Sequence, residues 1–438
     1  FLENTDHISI LAEQDLITNV SPSFGKGAGI RVFLGKRDGF VSTNDLSENG
    51  LSEALNQALG MLGLESTDKH QNNFEGLSDL RDYGKHKYDW LKECPELTEA
   101  TTKLLQATNN LDLCGKNLNV RRGSYSRSWQ EVLIASSDGT FARDIRLHQS
   151  LGLNVLASDK NHRSSIGRRY GSSDSPNDLR DWDSEIAAQD LTESVQKMLY
   201  ADYVDAGQMP VVLANKFGGV IFHEACGHLL ETTQIERGTT PFSQKINQKI
   251  ANECLTAIDE GITHGAFGSL SIDDEGMEPE RTVLIDKGVL KCFLSDRAGE
   301  MRTGHKRTGS GRRQNHTYAS ASRMRNTYIS PGKYKPKQLI ESIDNGLYCK
   351  TMGGGSVGPT GQFNFSVEEG YLIKNGKLSK PVKGATLIGE AKEIMPRISM
   401  CADDMELAAG FCGSVSGNIY VTVGQPHIKV DSITIGGR

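Results

Sequence analysis

The 438-residue chain has no apolar run approaching the roughly 20 residues that a membrane-crossing helix requires, and its mean hydropathy is −0.43. That predicts a soluble protein with no membrane partner. The chain also lacks any Cys-x-x-Cys pair. Its eight cysteines (Cys94, Cys114, Cys226, Cys254, Cys292, Cys349, Cys401 and Cys412) are scattered along a chain too long to need disulfide staples, which points to a reducing, cytoplasmic setting. No charge of either sign dominates: 49 Lys and Arg against 55 Asp and Glu give a net charge of −6, so nothing draws the whole molecule towards nucleic acid or an anionic surface. No internal repeat is evident. The glycine run Met352-Gly-Gly-Gly-Ser-Val-Gly358 lacks the Lys-Ser/Thr ending of a phosphate-binding loop, which excludes a nucleotide site there. It reads instead as a place where a ligand's backbone can approach closely.

Glycine is plentiful, 47 of 438 residues, or about 11% against a usual ~7%. Many turns and a strand-rich fold are therefore expected. At ~150 residues per domain the length suggests two or three domains. The reading is α+β: an N-terminal domain of mixed helices and β-hairpins over 1–205, then a strand-rich domain over 206–438. Ile8–Val20 reads as a strand, and Gly29–Leu34 with Gly39–Ser42 as a hairpin around Asp38-Gly39. A second hairpin is read over Tyr125–Leu147 around Asp138-Gly139, with Leu151–Ala157 pairing beside it. Helical spacing marks Leu46–Leu62, Leu97–Leu111 and Leu179–Leu199, and a polar stretch over Ser66–Tyr88 shows little periodicity. In the second half, helices are expected over Ser243–Ile258 and near Lys337–Ile343. Hairpins are expected over Arg281–Leu294 and around Asn375-Gly376.

One short stretch concentrates chemistry: Val220-Ile-Phe-His-Glu-Ala-Cys-Gly-His-Leu-Leu230. It follows a strand at Met209–Ala214 and Asn215, a natural N-cap. Neutral imidazoles are common zinc ligands, and a carboxylate beside a metal-bound water can take its proton. His223 and His228 are five residues apart, however, and on a straight α-helix ~100° per residue splays them by about 140°. Both can face one ion only if the helix bends, ends or widens between them, and Gly227 supplies a loose backbone for a π-type bulge. The bland alternative is a partly buried helix whose histidines are simply hydrogen-bonded. A third ligand from a distant element separates the two readings. Cys226 is close in sequence but reads as a small buried residue. Cys412 differs, because Gly410 and Gly413 on either side let the backbone turn and present a thiolate; Asp403, Asp404, His305 and His316 are the other remote candidates. The basic segment Lys306–Arg325 reads as a solvated loop with a few salt bridges, or as a site wall in which Arg312 and Arg313 meet substrate.

His223-Glu-Ala-Cys-Gly-His228, Gly309-Ser-Gly-Arg-Arg-Gln314 running on to Arg325-Asn-Thr-Tyr328, Lys380-Pro-Val-Lys-Gly-Ala-Thr-Leu-Ile388, Gly410-Phe-Cys-Gly413 and Val423-Gly-Gln-Pro426 together resemble the TldD/PmbA family of metallopeptidases, on the TldD side. The resemblance is looser in the first half, carried by Gly27-Ala-Gly-Ile-Arg31. It implies that His223, His228 and Cys412 bind zinc and that Glu224 is the catalytic base. It also implies peptides or unfolded segments as substrates, cut in a chamber between two subunits, either two copies or one copy with a PmbA-like chain. Family chains begin with a helix and a strand before the first segment present here, and Phe1 is not an initiator methionine, so residues upstream of it are expected. Two other classes stand beside the peptidase. One is a non-catalytic, metal-stabilised subunit that binds a partner protein, marked by a closed four-ligand site with Asp404 or His316 added. The other is a nucleic-acid binder using the Arg312 region.

Overall fold

The computed structural model describes residues 1–65, 77–115, 118–358 and 361–437. Residues 66–76 of the polar stretch over Ser66–Tyr88 lie outside them. The fold is α+β. The first half is built on long antiparallel strands in a seven-stranded sheet, in the order 37–43, 16–34, 2–13, 118–135, 141–158 and 81–82, with 163–173 pairing the same 141–158 strand. The Asp138-Gly139 signal does mark the tight turn between 118–135 and 141–158. Leu151–Ala157 is not a separate strand, because 141–158 runs unbroken through it. Helices Leu97–Cys114 and Ser184–Leu199 lay apolar stripes on this sheet, where Ala107, Leu111, Leu191 and Val195 pack against Leu153, Val155 and Ala157.

The second half holds an eight-stranded and a six-stranded sheet. In the first, Gly207–Leu213 lies between Asn345–Val357, which is parallel to it, and Ile428–Gly436, which is antiparallel. In the second, Asn326–Ile329 runs parallel to Gly417–Gln425, which pairs antiparallel with Glu406–Ser414. The His-Glu stretch lies in the core between these sheets. Val220, Phe222, Ala225 and Leu229 share one apolar cluster with Leu347, Phe363 and Phe365 of the larger sheet, Ile329 of the smaller and Met324 just before it. The hairpins at 282–290 and around Asn375-Gly376 form as read, and the short helix is Pro336–Glu341.

Ser243–Ile258 is not a helix. Its backbone is taken by a neighbouring turn: Asn247 N–H donates to Leu290 O, Ile250 N–H to Gly288 O, and Leu290 N–H to Gln248 O. Tertiary pairing overrides a helical spacing of apolar residues that are buried for a different reason. No helix among the described residues is long and apolar enough to cross a membrane.

Candidate metal centre

The chain enters the centre through a close approach. After strand 207–213 a short 3₁₀ turn, Lys216–Gly219, packs on strand 417–425 so tightly that a Cβ on Gly219 would lie 2.6 Å from the Gly424 backbone nitrogen. Asn215 does not cap this turn. Its amide instead donates to Asp404 O at 3.0 Å and Glu406 Oε1 at 2.9 Å. One α-turn follows, Val220–Phe222, and then the helix widens: His223–Gly227 is π-helical, with His228 N–H donating to His223 O. A five-residue turn returns positions five apart to one face, which a straight α-helix cannot do. Gly227 serves a different purpose from the one expected. Its φ of −54° and ψ of −50° are ordinary helical values, and glycine is needed because a Cβ would sit 2.3 Å from Met324 Sδ.

The remote donor comes from strand 406–414. Here too the glycine argument changes, since Gly410 and Gly413 pair regularly with Val421 and Asn418, and the backbone does not turn at Cys412. Strand alternation alone presents the thiol inward. Arg323, fully buried, fixes this end of the hairpin by donating to Cys412 O at 2.5 Å, Gly417 O at 2.9 Å and Ser416 Oγ at 2.9 Å.

Three donors thus converge. Cys412 Sγ lies 3.3 Å from His223 Nε2 and 3.2 Å from His228 Nε2, and the three candidate ligand atoms lie within 4.8 Å of one another. His223 and Cys412 are each 2% exposed. Burial alone would depress the His228 imidazole, but Cys412 and Glu231 outweigh it and hold the ring well above its ordinary value. Burial alone would likewise raise the Cys412 thiol, but His228 and His223 hold it well below the usual thiol range. The cluster therefore favours a thiolate, the form in which cysteine ligates metal. Two imidazoles and one thiolate suit zinc. With Zn–N near 2.0–2.1 Å and Zn–S near 2.3 Å, N and S donors on a tetrahedron stand about 3.5 Å apart, close to the separations found.

Glu224 Oε2 lies 3.6 Å from His228 Nε2, and its side chain is 22% exposed, beside the donors and open to solvent. Glu231 is the residue that the sequence reading missed. Fully buried, it holds His228 Nδ1 at 3.1 Å and accepts from Met324 N–H at 3.3 Å. Its position three residues after His228, a carboxylate next to the ring in sequence, was the available signal. His223 Nδ1, by contrast, is buried with no hydrogen-bond partner.

The other candidates lie elsewhere. Cys226 is buried among apolar neighbours, which push its thiol up to about 12. Asp404 accepts from His427 at 2.6 Å, Asp403 pairs with Lys335, His316 binds Glu3 Oε1 at 2.7 Å, and His305 packs on Phe293. The basic segment is not a solvated loop. Arg312, Arg313, Arg323 and Arg325 are all buried, and their guanidinium groups donate to backbone carbonyls. Arg312 Nη1 donates to Met324 O at 2.9 Å, Arg313 Nη1 to Tyr318 O at 3.1 Å, and Arg325 to Asp259, Thr308 and Gly309. The glycine run is mostly strand, and the cavity of about 590 Å³ that touches its end, lined by Gln208, Phe363, Ile388, Glu390 and Arg397 among others, includes none of the metal donors.

Three family models cover most of the chain: the PmbA/TldA metallopeptidase domain 1 over residues 1–62, the central domain over 89–199 and the C-terminal domain over 206–437. The chain is 33% identical to a metalloprotease TldD homolog of Buchnera aphidicola subsp. Acyrthosiphon pisum, over 100% of this chain and 92% of the relative. It is 27% identical to a zinc metalloprotease TldD homolog of Saccharolobus solfataricus, over 98% and 95%. Its fold matches the crystal structure of TldE from Thermococcus kodakarensis with a TM-score of 0.77 at 21% identity, covering 100% and 96% of the two chains. With whole-length relatives and a C-terminal family model that begins one strand before the His-Glu turn, the chain belongs to the PmbA/TldD metallopeptidase family.

Proposed function

We propose that the protein is a zinc-dependent peptidase that hydrolyses peptides or unfolded polypeptide segments, with Glu224 as its acid–base group. The observation that carries this reading is the three-donor set with a partly exposed carboxylate beside it. Catalytic zinc sites keep three protein ligands and an open position, whereas structural sites close with a fourth. The fourth donors that would favour a partner-binding subunit, Asp404 and His316, are engaged with His427 and Glu3.

A zinc ion held by His223, His228 and Cys412 would supply Lewis acidity and would lower the pKa of a water molecule there to about 7. The chain's own part is to place donors and move a proton. Glu224 accepts the proton of the attacking water as the C–O bond forms, then delivers it to the amine nitrogen as the C–N bond breaks. Glu231 keeps the Nδ1 of His228 engaged, which leaves Nε2 free as a donor. Among the described residues Arg312 has no carboxylate within ion-pair distance, and burial pulls its guanidinium down to about 9; it is the group we assign to the substrate carboxylate or oxyanion. Arg313, stacked over Phe1 and Phe40, is given no such part. The working unit in this reading is a dimer, of two such chains or of one with a PmbA-like partner.

Glu224→Gln tests the reading. It should retain zinc and lose peptide cleavage by at least the ~10²–10⁴-fold that acid–base catalysis contributes. A variant that loses its zinc, or turns over at a near-normal rate, would overturn the assignment.

A further inference from the structure

The metal centre uses one of the eight cysteines, and most of the others are shielded. Cys349 and Cys226 are fully buried, and burial pushes both thiols up, as it does Cys94 to about 11 and also Cys292. Two remaining cysteines, 147 residues apart in sequence, meet face to face: Cys401 Sγ lies 3.8 Å from Cys254 Sγ and donates towards it. That is van der Waals contact between sulfurs, and no other pair of cysteines stands so among the described residues.

The two differ in access. Cys401 is fully buried and ends a strand whose register on 428–436 is fixed, with Cys401 opposite Ile428. Cys254 is half-buried in a turn in which Cys254 N–H is held by Asn252 Oδ1 and Leu255 N–H by Asn252 O. Its sulfur also donates to Ile398 O at 3.1 Å, so it is already aimed at the strand that bears its neighbour. The hydrogen bond from Cys401, first among the causes, lowers the Cys254 thiol from its ordinary value. Thiolate character and access together select which sulfur meets an oxidant.

We propose that Cys254 and Cys401 form a peroxide-oxidisable dithiol, in which Cys254 reacts with the oxidant and Cys401 resolves it to a Cys254–Cys401 disulfide. In the first step the Cys254 thiolate attacks one oxygen of a hydroperoxide. The S–O bond forms as the O–O bond breaks, and the departing oxygen leaves protonated, giving a sulfenic acid. In the second the Cys401 sulfur displaces that hydroxyl: the S–S bond forms, the S–O bond breaks, and the hydroxyl leaves as water with the Cys401 proton. With hydrogen peroxide the balance is two thiols oxidised and one peroxide reduced to two waters. The two sulfurs must close from 3.8 Å to about 2.05 Å. The product ties that turn to the strand 398–401.

The test uses the full-length, metal-loaded protein exposed to a few equivalents of hydrogen peroxide, alkylated and digested without reductant. One linked peptide pair joining Cys254 to Cys401 is expected by mass spectrometry, two hydrogens lighter than the sum of its parts and separated by dithiothreitol. In Cys401→Ser, dimedone should trap a sulfenic acid on Cys254, and in Cys254→Ser the Cys401 thiol should survive the treatment. If wild-type Cys254 and Cys401 stay fully alkylable, or Cys254 joins a different cysteine, or Cys401 is oxidised equally fast without Cys254, the proposal is overturned. The wild-type map decides even if a variant fails to fold.

Discussion

At the scale of single residues, Glu231 decides how well His228 can serve as a donor. Its two oxygens are committed, one to His228 Nδ1 and one to Met324 N–H. An amide in its place must present an N–H to one of them: towards His228 it drives the ring proton to Nε2, and towards Met324 it sets two donors against each other. Glu231→Gln should therefore lower zinc affinity by the ~10–100-fold typical of losing such a partner, read by competition with a chromophoric chelator. Unchanged affinity would show that packing alone orients His228. Cys226→Ala makes the opposite case. Its thiol touches only apolar neighbours, so metal content and cleavage should match wild type, at a stability cost of about 1 kcal/mol in thermal unfolding. A zinc-free Cys226→Ala protein would mean the wrong cysteine has been assigned.

At the scale of elements, the His-Glu turn is held by backbone contact, and glycine positions mark where. A Cβ on Gly219 would meet the Gly424 backbone at 2.6 Å, which no rotamer change relieves, whereas one on Gly354 would meet nothing within 4 Å. Gly219→Ala should cost about 2 kcal/mol or more and lower zinc occupancy by displacing the turn. Gly354→Ala should fall within about 0.5 kcal/mol of wild type. Equal melting temperatures for the two would remove the case for a backbone-locked turn. The widened turn itself was legible, because two histidines five apart cannot share the face of a straight α-helix. The strands around Asp138-Gly139 and Asn375-Gly376 were legible too, since those dipeptides carry their own turn chemistry. Ser243–Ile258 was not, because its partners, Gly288 and Leu290, lie some 40 residues on and pair with its backbone, which leaves no trace in side-chain spacing. The basic segment failed for a related reason: sequence shows that arginines carry charge, but not that interior carbonyls will take it up.

At the scale of the molecule, a strand and a turn 184 residues apart are brought to within 3.2 Å, and the histidines there hold the Cys412 thiol well below its usual range, towards the thiolate that binds metal. Spacing alone left Cys412 one candidate among several; the family resemblance singled it out, and the fold places it with both histidines. A ligand set that joins distant elements couples binding to folding, so zinc should stabilise the fold and chelation should lower the melting temperature. The most direct measurement is zinc content together with melting temperature for Cys412→Ser, beside His305→Ala, His316→Ala and chelated wild type. Cys412→Ser should lose most of its zinc and melt with the chelated wild type, because a hydroxyl replaces a thiolate poorly on zinc, while both histidine variants keep a full equivalent. A full equivalent of zinc in Cys412→Ser, with the ion lost from either histidine variant, would contradict the centre described.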